Sequence, residues 1–121
     1  MSNVMGSVLR WANMQRALDP DEELLCATSS IPIFGSHLLR SDEGTLGVTS
    51  RRLIFLNLVT TIVIPYDTIS AATISRRRMV TARLGINYRA CDGESSSDRN
   101  LMLLTGKKTA QTVKRMVAVG E

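Results

Sequence analysis

The chain has 121 residues, of which 44% are apolar and 21% charged, with two cysteines, one histidine and a formal charge of +4. That length is enough for one domain with a single closed core. The composition excludes a disordered tail, a collagen-like fibre, a long coiled coil and a disulfide-dense secreted scaffold, and one histidine leaves little for a zinc site or a histidine catalyst.

Residues 3–17 read as a helix, with Val4, Met5, Val8, Leu9, Trp11 and Ala12 on one apolar arc and Ser2, Arg10 and Asn13 on the other side. Leu18-Asp19-Pro20-Asp21 breaks it. This sets an amphipathic N-terminal segment, 1–17, against a domain spanning 18–121. The short helix must dock, either on its own domain or on a neighbour.

Strand patterns follow. Leu24–Ile31 is the first, ended or marked as an edge by Pro32. Phe34-Gly35-Ser36 and Asp42-Glu43-Gly44 are turns. Thr45–Thr49 alternates, and Ser50-Arg51 turns the chain into Leu53–Leu58. Val59–Ile64 is rich in β-branched residues and stops at Pro65. After Tyr66-Asp67-Thr68 come Ile69–Ile74 and the run Arg76-Arg77-Arg78. Val80–Tyr88 has the cleanest period of two: Val80, Ala82, Leu84, Ile86 and Tyr88 on one face, Thr81, Arg83, Asn87 and Arg89 on the other. Residues 92–100 read as a polar Gly/Ser loop, and Leu101–Leu104 as a short last strand. A final helix carries the stripe Ala110, Val113, Met116 and Val117, with Thr109 as its N-cap, Lys107 and Lys108 before it, and Gly120 as its C-terminal cap.

The expected order is helix, seven short antiparallel strands, helix. It places the chain in the mainly β (α+β) class. Three stretches carry a resemblance. Leu18-Asp19-Pro20-Asp21-Glu22-Glu23 resembles the acidic lead-in to the first strand of bacterial PH-like and GRAM-like domains. Gly44-Thr45-Leu46-Gly47-Val48-Thr49-Ser50-Arg51-Arg52-Leu53-Ile54-Phe55 resembles their strand, tight turn and second strand, with Ser50 where Asp or Asn is more usual. Ile64-Pro65-Tyr66-Asp67-Thr68-Ile69 resembles the segment leading into the second sheet. The resemblance covers about residues 18–119. It implies a seven-stranded pleckstrin-homology-like barrel closed by the C-terminal helix, with an extra N-terminal helix. It also implies a binding role, toward phosphoinositides or other lipids in some members and proteins in others.

Lipid-binding members place cations in and after the first hairpin loop. Here that loop, about Pro32 to Gly44, holds only His37 and Arg40, offset by Asp42 and Glu43. The arginine run falls between predicted strands five and six, a connection that the resemblance places away from the lipid pocket.

Charge is polarised along the chain. Residues 1–50 carry Arg10, Arg16 and Arg40 against Asp19, Asp21, Glu22, Glu23, Asp42 and Glu43, a balance of −3, and the remainder carries +7. Arg76, Arg77, Arg78, Arg83 and Arg89 form an acid-free cluster suited to phosphate or carboxylate. The plain alternative is a solvated basic surface that also blocks edge pairing.

Two binding roles stand. One is a protein-interaction or assembly module, joined to a protein partner or to further copies of the chain, with Val4, Val8 and Trp11 as the helix contacts. The other is peripheral binding to anionic membrane lipid through the arginines. Nucleic acid is not favoured: Trp11, Phe34, Phe55, Tyr66 and Tyr88 are the five aromatics, most read as core, and they form no stacking platform. No catalytic constellation, cofactor motif or metal spacing is present in the sequence, so an enzyme is not expected: His37 lacks a nucleophile, and Gly106-Lys107-Lys108-Thr109 lacks the upstream glycine of a phosphate loop. The best apolar run, Leu53 to Ile64, is interrupted and too short to span a bilayer. With no secretory signal, Cys26 and Cys91 are expected as reduced, buried thiols in a cytoplasmic protein, with peripheral membrane attachment as the variant.

Overall fold

The computed structural model describes residues 14–119. Val4, Val8, Trp11 and Gly120 lie outside them, as does most of the helix expected over 3–17; of that helix, Met14–Arg16 are helical.

The structure is mainly β. Its strands are β1 (Leu24–Phe34), β2 (His37–Leu38), β3 (Gly44–Thr49), β4 (Arg52–Leu56), β5 (Thr61–Pro65), β6 (Ile69–Ser75), β7 (Thr81–Asp92) and β8 (Ser95–Gly106), followed by helix α1 (Lys107–Val119). All pairings are antiparallel, and the order across the sheet is β5-β4-β3-β1-β8-β7-β6, with β2 beside β1. The expected seven-stranded closed barrel is therefore corrected. Among the described residues there are eight strands, and β5 and β6 end the sheet without pairing to each other.

β1 joins the two halves. Residues Leu24–Ser30 pair with β3, whereas Ile31 and Pro32 pair with Leu104 and Leu103 of β8. Pro32 does not end the strand. It lacks an N–H, and it sits where β1 has left β3, so no ladder bond to β3 is lost. Its carbonyl accepts from Leu39 N at 2.8 Å.

The core draws on both halves and the helix. Leu46, Val48, Leu53, Phe55 and Ile64 meet Ile69, Ala82, Leu84, Ile86 and Leu103, and α1 adds Ala110, Val113 and Val117. The alternation in β7 is as expected from Ala82 to Ile86, but Val80 lies outside the strand and is exposed. β3 is buried on both faces from Thr45 to Thr49. The second face is covered by Met14, which packs with Leu24 and Ile54 and is flanked by Leu18, Ala27 and Leu56.

Three further expectations are corrected. Residues 92–100 are not a loop but the far end of a long hairpin, in which Asp92 pairs with Ser95 across Gly93 (φ 67°) and Glu94. Its described side chains are exposed on both faces, so no hydrophobic alternation marks it. The run Leu53–Ile64 conceals a turn: Asn57 Oδ1 accepts from Val59 N (3.0 Å) and Thr60 N (2.7 Å), leaving Leu58 and Val59 exposed at the tip. Helix α1 starts at Lys107, not after Thr109. The Thr109 hydroxyl bonds that of Thr28 across the fold instead of capping, and the Lys107 N–H is taken by the Val80 carbonyl at 2.8 Å.

The turn between β3 and β4 is held from the N-terminal side. Glu22, buried, accepts two bonds from Arg52 (Nε and Nη2, both 2.9 Å), one from Thr49 Oγ1 (2.6 Å) and one from Asp19 N (3.1 Å). The Arg52 hydrogen bonds are the main reason its carboxyl is held down at about 2, against the opposing effect of burial; the Thr49 and Asp19 bonds add to the lowering. Glu23 and Ser50 bond reciprocally, and Tyr66 OH donates to the Thr49 carbonyl at 2.6 Å. Burial pushes the Tyr66 hydroxyl well above its usual range.

Cys26 is half-buried and Cys91 exposed, and both are free. The expectation of two buried thiols holds in part for Cys26, whose thiol is pushed up by burial, and fails for Cys91, which lies on the protruding part of the β7–β8 hairpin beyond the end of β6.

Candidate anion-binding surface

The connection from β6 to β7 leaves the sheet at Ser75 and returns at Thr81. Arg76 takes φ 46°, the left-handed region that an L side chain adopts only at a cost. The Arg78 N–H donates to the Thr81 carbonyl at 2.8 Å, so Met79 and Val80 occupy the tip of a narrow turn. Both side chains project into solvent, at 94% and 74% exposure.

Two cavities flank this turn. One, of about 250 Å³, is lined by Leu38, Arg76, Arg78, Thr81, Arg83 and Leu104. The second, of about 580 Å³, lies between the turn and the start of α1, where Met79 and Val80 face Gly106, Lys107 and Lys108. Neither cavity is lined by an acidic side chain. Among the described residues, Arg76, Arg77, Arg78 and Arg83 enter no ion pair. Unneutralised guanidinium groups around one recess favour an anion, since each can present parallel N–H donors to phosphate or carboxylate.

The five arginines of the sequence cluster are therefore divided. Arg76, Arg78 and Arg83 share one cavity, and Arg77 is exposed on the same turn. Arg89 is not with them. It lies six positions further along β7, about 20 Å at strand rise, beside Asp98 (Nε to Oδ1, 3.5 Å) in a different recess with Asp67, Ser70 and Cys91.

The resemblance implies that the run lies away from the lipid pocket, and nothing in the structure tests that pocket. The run does lie beside the segment between Pro32 and Gly44, whose Leu38 lines the arginine cavity. The reason is the change of partner within β1, which carries Ile31 and Pro32 onto β8 and sets the following hairpin beside the start of β7. In the sequence Lys107 and Lys108 were visible as residues preceding a helix and as part of an incomplete phosphate-loop pattern. Their place beside the turn depends on the pairing of Thr81 with Gly106.

Among the described residues no group of three or more His, Cys, Asp or Glu side chains is placed to hold a metal ion, and no helix is long and apolar enough to cross a membrane. No protein-family model matches the chain, and none of the curated proteins matches it.

Proposed function

We propose that the chain is a non-enzymatic binding module, pleckstrin-homology-like in kind, that recognises an anionic partner through the β6–β7 end of its sheet. The observation that carries this is the convergence of Arg76, Arg78 and Arg83 on one recess, unpaired with acid and adjoined by Lys107 and Lys108. The strand order supports the kinship: a first half-sheet, a second half-sheet joined to it through β1, and one helix after the last strand. The module works in the cytoplasm, at the surface of whatever bears the anion.

A charge-matched comparison tests the site. Retention on a phosphate-bearing resin is measured for the Arg76→Ser/Arg78→Ser/Arg83→Ser chain and for Arg89→Ser/Arg99→Ser/Arg115→Ser, which loses the same charge elsewhere. The first is expected to elute at markedly lower salt than the second. Equal elution would reduce the effect to net charge and overturn the reading.

A second reading, protein assembly, is favoured by the two free edges. Among the described residues β5 and β6 each leave one side without a strand partner, and such edges accept a further strand. Light scattering on the eluting chain tests it: a concentration-independent monomer that captures no partner strand counts against it.

A further inference from the structure

We propose that the anionic partner is a lipid bilayer, and that Met79 and Val80 enter its acyl boundary while Arg76, Arg77, Arg78, Lys107 and Lys108 hold headgroup phosphates around them. This rests on the anion-binding reading above and names its partner.

Three observations carry it. The first is exposure in the wrong solvent. Met79 and Val80 are among the most exposed large apolar side chains described, and they stand at the tip of a turn, not on a flat face. A soluble polyanion would pair the arginines and leave both side chains in water. A bilayer offers negative charge at its surface and hydrocarbon directly beneath, so it satisfies both at once.

The second is the backbone of the turn. Carrying peptide groups toward hydrocarbon is costly unless their polar atoms are paired. Here Arg78 N–H is bonded to the Thr81 carbonyl, and the Val80 carbonyl is bonded to Lys107 N–H, both at 2.8 Å. The tip is thus partly satisfied before it meets the membrane.

The third is the layout of charge. Basic residues flank the tip from two segments: the arginine run before it, and Lys107-Lys108 across the cavity of about 580 Å³ that Met79 and Val80 help to line. The other end of the same strands is mixed in charge, with Asp67 just before β6, Glu94 in the β7–β8 turn and Asp98 in β8 set against Arg89 and Arg99. An anionic surface would attract the turn more strongly than that end, which orients the molecule tip-first.

The test uses the full chain with Cys26→Ala and Cys91→Ser, carrying a polarity-sensitive fluorophore on Met79→Cys or, for comparison, on Glu94→Cys at the opposite end of β7. Vesicles of phosphatidylcholine alone or with phosphatidylglycerol are added at low salt. The expected result is a blue shift, with quenching by brominated acyl chains, for the label at 79 on anionic vesicles only, and none for the label at 94. In the otherwise native chain, Met79→Ser/Val80→Ser keeps every charge and should lower vesicle partitioning about tenfold while leaving resin retention unchanged. Vesicle binding without a shift at 79 would overturn insertion and leave the anion-binding surface standing. Retention on the phosphate resin without vesicle binding would overturn the bilayer as partner. Loss of both in the unsubstituted chain would overturn the anion-binding reading itself.

Discussion

Met14 occupies the space that a side chain on Gly47 would need. A Cβ built on Gly47 would lie 2.6 Å from Met14 Sδ and 2.8 Å from its Cγ, and Met14 is completely buried. A residue ahead of β1 and the middle of β3 therefore specify each other. Gly47→Ala is expected to destabilise by about 1–3 kcal/mol through overpacking, and Met14→Ala by about 2–5 kcal/mol through the cavity it leaves. In combination the two should cost clearly less than their sum, because the new methyl enters the vacated space. Urea unfolding of the two single variants and the double variant measures this.

The Glu22–Arg52 pair sets an acid limit on stability. The folded-state carboxyl stands at about 2 against an ordinary 4.5, so its stabilisation is present above about pH 4.5 and is lost as pH falls through 2. Denaturant midpoints taken from pH 7 to pH 2 should show a fall over that window that is absent in Glu22→Gln. At pH 7 the variant should be less stable by about 2–4 kcal/mol, since Arg52, only 23% exposed, loses its bidentate partner.

Arg76 links the proposed binding surface to backbone strain. Its φ of 46° suits glycine better than an L side chain. Arg76→Gly should raise stability, by about 1 kcal/mol, and at the same time weaken retention on the phosphate resin. A thermal melt and an elution profile on one preparation check both signs together.

Arg89 should be silent in binding. It sits against Asp98, with both side chains largely exposed, and far from the recess that holds Arg83. Arg89→Ser should change stability by less than about 0.5 kcal/mol and leave vesicle partitioning within error of the unsubstituted chain. A loss comparable to that of Arg83→Ser would mean that the two ends of β7 act on one partner.

How much was legible follows from where the physics is local. Leu53, Ile54 and Phe55 read as a continuous apolar run because β4 is buried on both faces. The alternation Ala82, Leu84, Ile86 could be read directly, because alternate side chains of that strand face the core and a period of two shows it. The helix stripe Ala110, Val113 and Val117 was legible for the same reason at a period of 3.6. The first part of β8 was not, because residues 95–100 are exposed on both faces and carry no apolar alternation. The Asn57 turn was hidden by Leu58 and Val59, which are apolar yet exposed.

The sequence by itself determined the antiparallel β character, the final helix and the acid-free arginine run, since each depends on neighbours a few residues apart. Only the tertiary structure decided which arginines lie together. Arg76, Arg78 and Arg83 meet Leu38 because β1 exchanges β3 for β8 at Ile31, and Lys107 and Lys108 join them because Thr81 pairs with Gly106. Arg89, close in sequence, is carried away by the rigid rise of its own strand. Strand pairing is a contact between distant segments, and no local pattern encodes which two segments will share an edge.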